Sequence, residues 1–140
     1  MPIIRECIET DYPALRVIYL LSRKETFNWV DPLSFYPDDF DKHTEGEKIL
    51  VAESQNKIAG FVSVWMPDNF IHHLYLHPEY TNRGIGKMLL AAAIEIANKP
   101  LTLKCLINNR YALKFYKKQG WRHLSDGISE DGAYYLLIYP

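Results

Sequence analysis

The sequence predicts a mixed α/β fold, a mostly antiparallel sheet with helices on its faces, and three features carry that prediction. First, the apolar, β-rich runs "KILVAES", "KIAGFVSVWMP" and "NFIHHLYLHP" follow one another with only "QN" and "DN" between them. Such pairs favour tight turns, so the three runs read as an antiparallel meander. Second, "GIGKMLLAAAIEIAN" carries apolar residues at helical spacing directly behind two glycines. Third, a β-rich run "LTLKCLI", a helix-like stretch ending at Gly120 and two more β-rich runs close the chain.

Taken in order, "PIIREC" is a short strand. Thr10 is placed to cap a helix, and Leu15, Ile18, Tyr19 and Leu21 continue it to about Glu25. "FNWVDPLSFYPDDFDKHTEG" breaks the pattern with prolines and clustered charges, and reads as a loop with a short helix near residues 35–43. The meander follows. Gly84 opens a helix that runs to about Asn98, with Pro100 beyond its end. "LTLKCLI" is a strand, and Asn108 or Asn109 caps the next helix. "WRHLSD" and "AYYLLIY" are the last strands, joined at "SEDG". The order is β-α-α-β-β-β-α-β-α-β-β.

The 140 residues suffice for one domain with a full core, and 48% hydrophobic with 24% charged is a soluble, globular profile. A formal net charge of -1 gives no basic footprint for nucleic acid and no bulk attraction to an anionic membrane. No run reaches the roughly 18 apolar residues of a membrane span. Arg5, Glu6, Glu9, Asp11 and Arg16 make the first twenty residues unlike a signal peptide, so a cytoplasmic location is expected. Cys7 and Cys105 form no disulfide framework, which fits a reducing setting. Cys105 alternates with Leu101, Leu103 and Ile107, the pattern of a core strand residue rather than a nucleophile.

The chemistry starts at Gly84 and Gly86. A helix start has backbone N–H groups without intrahelical partners, and its dipole adds about half a positive charge. That makes an anion site, suited to phosphate, with Arg83 and Lys87 available as cations. Two familiar phosphate loops do not fit. A P-loop needs a hydroxyl residue after its lysine, where Met88 stands, and a dinucleotide loop needs a third glycine, where Leu89 stands.

The segment "HPEYTNRGIGKMLL" resembles motif A of the GNAT-superfamily N-acetyltransferases, [QR]-x-x-G-x-[GA] at the head of a helix. Thr81, Asn82, Arg83, Gly84, Ile85 and Gly86 fall on its six positions, with Thr81 where Gln or Arg is usual. "NRYALKFYKKQGW" resembles the second signature of that family through Asn109, Ala112, Phe115, Tyr116, Gly120 and Trp121. The resemblance implies the GNAT fold over residues 1–140 as a single domain, with a central sheet of roughly six to seven strands and about four helices on both faces. It implies acetyl-CoA as co-substrate, with the pyrophosphate at the helix start of residues 81–87 and Asn109 also touching the coenzyme. It also implies a pantetheine arm beside Leu74 and Leu76, in a split between two parallel strands, where the arm pairs with backbone groups as a missing strand would. No metal is expected.

The implied reaction is direct acyl transfer to a primary amine, which needs a proton acceptor, an oxyanion donor and a protonated leaving thiolate. By resemblance Tyr116 is the general acid and also touches the coenzyme. His72 is the candidate base, direct or through water; histidine's unperturbed pKa of about 6.5 suits that task. Strand alternation places His72 and His73 on opposite faces, with His72 sharing the face of Leu74 and Leu76 unless a bulge shifts the register. The oxyanion donor is a backbone N–H near Leu74. The acceptor site falls to Phe27, Trp29 and Phe35, with Tyr36, Phe40, Trp65 and Tyr134 as further wall candidates. These aromatics suit a small-molecule amine, or form only a lid. Glu25, Asp31, Asp38, Asp39 and Asp41 attract a cationic amine or form a solvated face. A peptide or protein acceptor, a longer acyl group and a non-catalytic coenzyme A-binding module are the alternatives. Family habit points to a homodimer, and "AYYLLIYP" is apolar enough for a core strand or a dimer edge.

Overall fold

A computed structural model describes residues 2–27 and 31–140. Seven strands and four α-helices alternate in the expected order: β1 (Ile3–Glu6), α1 (Tyr12–Thr26), α2 (Asp39–His43), β2 (Lys48–Ser54), β3 (Lys57–Trp65), β4 (Phe70–Leu76), α3 (Ile85–Ile96), β5 (Leu101–Leu106), α4 (Arg110–Lys118), β6 (Arg122–Ser129) and β7 (Gly132–Tyr139). They form one sheet, ordered β1-β2-β3-β4-β5-β7-β6. Every neighbouring pair is antiparallel except β4 and β5.

Local chemistry explains the turns. Gln55 and Asn56 both take positive φ (52° and 64°), the paired left-handed geometry of a two-residue hairpin. Gly60 is required by crowding, because a Cβ there would stand 2.5 Å from Leu76 and 2.7 Å from the Tyr75 carbonyl. Thr10 does not cap α1. The helix follows a 3-10 turn, and Asp11 supports its start by accepting from the Ile8 N–H at 2.9 Å.

The sheet separates two cores. On one face α3 buries Ile85, Leu89, Leu90 and Ala93 against Val62, Val64, Ile71, Leu101 and Leu103. On the other, α1 and α2 bury Leu15, Ile18, Tyr19 and Phe40 against Val51 and Phe61. Phe40 is fully buried and touches Tyr12, Tyr19 and Phe61, so it is core and not an acceptor wall. β7 lies between β5 and β6, so "AYYLLIYP" is an interior strand and no dimer edge. Among the described residues no helix is long and apolar enough to cross a membrane.

Candidate active site

The parallel pair at the centre of the sheet is barely joined. β4 and β5 register only at Phe70–Thr102 and Ile71–Leu103, and from His72 onward β4 has no rung to β5. A cleft of about 640 Å³ lies at that end, bounded by the last residues of β4, the head of α3 and one side of α4. Leu74, Leu76, Thr81, Asn82, Gly84, Gly86, Lys87, Asn109 and Tyr116 all line it.

The head of α3 is open. Gly84 is its N-cap, in the left-handed region at φ 79°, with no side chain bonded over the first-turn amides. A Cβ on Gly84 would meet nothing within 4 Å, so conformation and not crowding calls for glycine there. A Cβ on Gly86 would stand 3.7 Å from Leu76 and 3.8 Å from Phe115, both cleft residues. Ile85 turns into the core and does not line the cleft. Arg83 lies over the Tyr80 ring at 5.3 Å rather than in the cleft wall. Thr81 donates its hydroxyl to the Pro78 carbonyl at 3.2 Å, bracing the turn before the glycines. Asn109 caps α4 by accepting from the Ala112 N–H at 3.2 Å, and Tyr111 ties α4 to Asn82 at 2.7 Å.

Tyr116 packs edge-on against Phe115 and Trp121. Burial drives its phenol well above the usual tyrosine range, with the Cys105 thiol adding to the effect, so the O–H keeps its proton. Cys105 is buried in β5, and burial pushes its thiol up to about 12, which makes it a poor nucleophile.

β4 carries an irregularity the strand pattern concealed. Ser63 pairs with His73 while Val64 pairs with Ile71, so His72 is an extra residue, a bulge. Ile71, Leu74 and Leu76 face the α3 core, whereas His73 and Tyr75 face α1, packed around Tyr19. His72 therefore does not share the face of Leu74 and Leu76. Its ring stacks on His73, with centroids 3.9 Å apart. Nδ1 of His72 donates to Oε2 of Glu47 at 2.5 Å. His73 is buried and donates Nε2 to the His43 carbonyl at 3.3 Å; burial, helped by His72, pushes it down to about 3. His77 instead accepts from the Glu79 N–H at the strand end.

The acceptor side departs from expectation in several places. Phe35 lies over the Arg23 guanidinium at 4.6 Å, and Trp29 lies outside the described residues. Phe27 is half-buried just after α1. Asp39 is buried against Arg23 at 3.0 Å, Asp41 pairs with Arg16, Asp38 pairs with Lys42, and Asp31 caps a turn at the Leu33 N–H. Of those five acids Glu25 alone lines the cleft. Ser22 lines it too, and its hydroxyl donates to the Leu76 carbonyl at 2.5 Å. Ser22 and Glu47 were not singled out by sequence, whereas Glu25 was among the five acids named there. Ser22 and Glu25 stand three apart on one helical face, but nothing in the letters says that this face meets β4.

The model of the acetyltransferase (GNAT) family matches residues 14–121. The chain is 28% identical over 135 residues to the peptidyl-lysine N-acetyltransferase YiaC of Escherichia coli, covering 91% of this chain and 88% of that one. It is 34% identical over 79 residues to the spermidine N(1)-acetyltransferase of Thermoplasma acidophilum, covering 52% and 49%. Among solved structures, the PaiA N-acetyltransferase of Thermoplasma acidophilum in complex with coenzyme A superposes with a TM-score of 0.81 at 22% identity, covering 98% of each chain.

Proposed function

Because the chain belongs to the acetyltransferase (GNAT) family and is an N-acetyltransferase, we propose that it moves the acetyl group of acetyl-CoA onto the primary amine of a small molecule by direct attack. The observation that carries this reading is the split after Ile71, which opens beside the unblocked head of α3 and takes in Tyr116. A sheet seldom leaves strand edges unpaired in its middle, because unpaired backbone groups are costly. An extended arm that pairs with β4 supplies the partners, and the α3 amides with Lys87 receive the pyrophosphate.

In this reading the amine attacks the thioester carbonyl. Its proton passes to Nε2 of His72, directly or through water, since the carboxylate of Glu47 accepts only and so fixes the other proton on Nδ1. A backbone N–H near Leu74 holds the oxyanion. The C–S bond breaks, and Tyr116 gives its proton to the leaving thiolate. A second acceptor, the lysine of a peptide, is favoured by the likeness to the Escherichia coli enzyme over most of the chain.

Two measurements test the reading. Acetyl-CoA at about 100 times its dissociation constant is expected to add about 2.7 kcal/mol of stability, read as a shift in melting temperature. No shift at millimolar coenzyme overturns the binding site. A thiol-release screen over polyamines, other small amines and lysine peptides then reads the acceptor. Turnover confined to peptides would replace the small-molecule assignment.

A further inference from the structure

We propose that Glu47, His72 and His73 form a binding site for one divalent cation of the zinc class, and that a cation held there blocks acetyl transfer. The blocking rests on His72 serving as the base; the cation site itself does not.

The donors converge. One ring nitrogen from each histidine and one carboxylate oxygen of Glu47 lie within 4.8 Å of one another. Two imidazoles and a carboxylate are a familiar zinc set, three protein ligands with the fourth position open. Ligands about 2 Å from a tetrahedral ion stand about 3.3 Å apart, so donors now within 4.8 Å of one another must close by up to about 1.5 Å. His72, exposed over 43% of its side chain, is free to turn inward. Adjacent strand residues ordinarily point apart, which is why "HH" in β4 carries no metal signal in the sequence. The bulge at His72 removes that objection by stacking the two rings on one side.

A second observation points to a ligand. The Glu47 side chain is only 6% exposed, and while Oε2 holds His72, its Oε1 is buried without a hydrogen-bond partner. A buried carboxylate oxygen lacking a donor is costly, and a cation facing it removes that cost. A cation shared with Glu47 replaces the proton on the His72 nitrogen that faces it, leaving the ring proton on Nε2 with no lone pair for the amine's proton, so occupancy and transfer exclude each other.

The test is calorimetric titration of zinc chloride into the whole, chelator-stripped protein and its variants, each checked for folding by circular dichroism. One equivalent is expected to bind the parent, at least about tenfold more weakly in both His72→Gln and Glu47→Gln, and unchanged in Cys7→Ser. His72→Gln alters an exposed side chain, so it keeps the test sharp should the buried Glu47→Gln fail to fold. Cobalt bound in place of zinc should give a tetrahedral visible spectrum that His72→Gln loses. No equivalent bound, or equal affinity in His72→Gln, overturns the site. Tight zinc binding with undiminished thiol release overturns the blocking, and with it the base role of His72, while the site stands. Loss of coenzyme binding is read separately and bears on neither.

Discussion

Gly84 and Gly86 stand two positions apart at the head of α3 and are glycines for different reasons. Gly84 needs its left-handed φ of 79°, which costs other residues about 1–2 kcal/mol. Gly84→Ala is therefore expected to lower stability by about 1 kcal/mol in urea unfolding. Gly86 sits inside the helix with room for a methyl group, so Gly86→Ala should hold or raise stability by about 0.5–1 kcal/mol. The same methyl projects among Leu76 and Phe115 in the cleft, so it should weaken coenzyme affinity, read by calorimetry. Stability and affinity thus move in opposite directions at one position. Tyr116→Phe removes only the hydroxyl proposed as the proton donor; on that proposal kcat should fall about 100-fold or more, with coenzyme affinity nearly unchanged. Both glycines and Tyr116 were legible from spacing and resemblance. What separates the glycines was not, since backbone angles and neighbouring side chains do not appear in the letters.

Between elements, the link with most at stake joins α1 to α2. Arg23 stacks 3.9 Å from the Tyr19 ring centroid and 4.6 Å from that of Phe35, and pairs with Asp39 at 3.0 Å, with both residues buried. Asp39 also accepts from the Tyr36 N–H at 2.9 Å, fixing the segment before α2. Asp39→Asn leaves a buried guanidinium uncompensated and should cost about 3 kcal/mol in urea unfolding. Replacing both partners, Arg23→Met with Asp39→Leu, should recover much of that loss. Sequence reading took Asp39 for a surface acid because aspartate seldom goes inside, and the partner that draws it in lies sixteen residues earlier. The bulge at His72 was hidden for a related reason. Alternation is a rule for regular strands, and one inserted residue reverses every later face. Element order survived because turns are local: Gln55–Asn56, Gly84 and Asn109 each carry their own signal.

At the scale of the molecule, carboxylates that hold elements together set its response to acid. Arg5 lowers the pKa of Asp11 by hydrogen bonding, tying β1 to the start of α1, and Arg16 does the same to Asp41. In Asp39 burial, the largest single effect, acts upward, but the hydrogen bonds from Tyr36 and Arg23 and the nearby charges of Arg23 and His43 bring its pKa below the usual carboxylate value. Each folded-state pKa lies below its unfolded value of about 3.9, so the unfolded chain binds more protons as pH falls through that range. The contribution to stability of these three groups is therefore present above about pH 4 and lost below it. Urea midpoints measured against pH should show that acid limb, and Asp11→Asn should flatten it. The overall order of the sheet was legible because six of its seven strands follow recognisable turns or helix ends. The depth of the split was not, since two rungs or six between β4 and β5 suit the same apolar residues. Two rungs make the sheet two stiff plates, β1–β4 and β5–β7, on a compliant seam. The coenzyme proposed for that seam then acts as a brace as well as a reactant, changing stiffness more than shape. Amide hydrogen exchange should slow along residues 72–76 and 101–106 when acetyl-CoA binds, while β2 and β3 exchange as before.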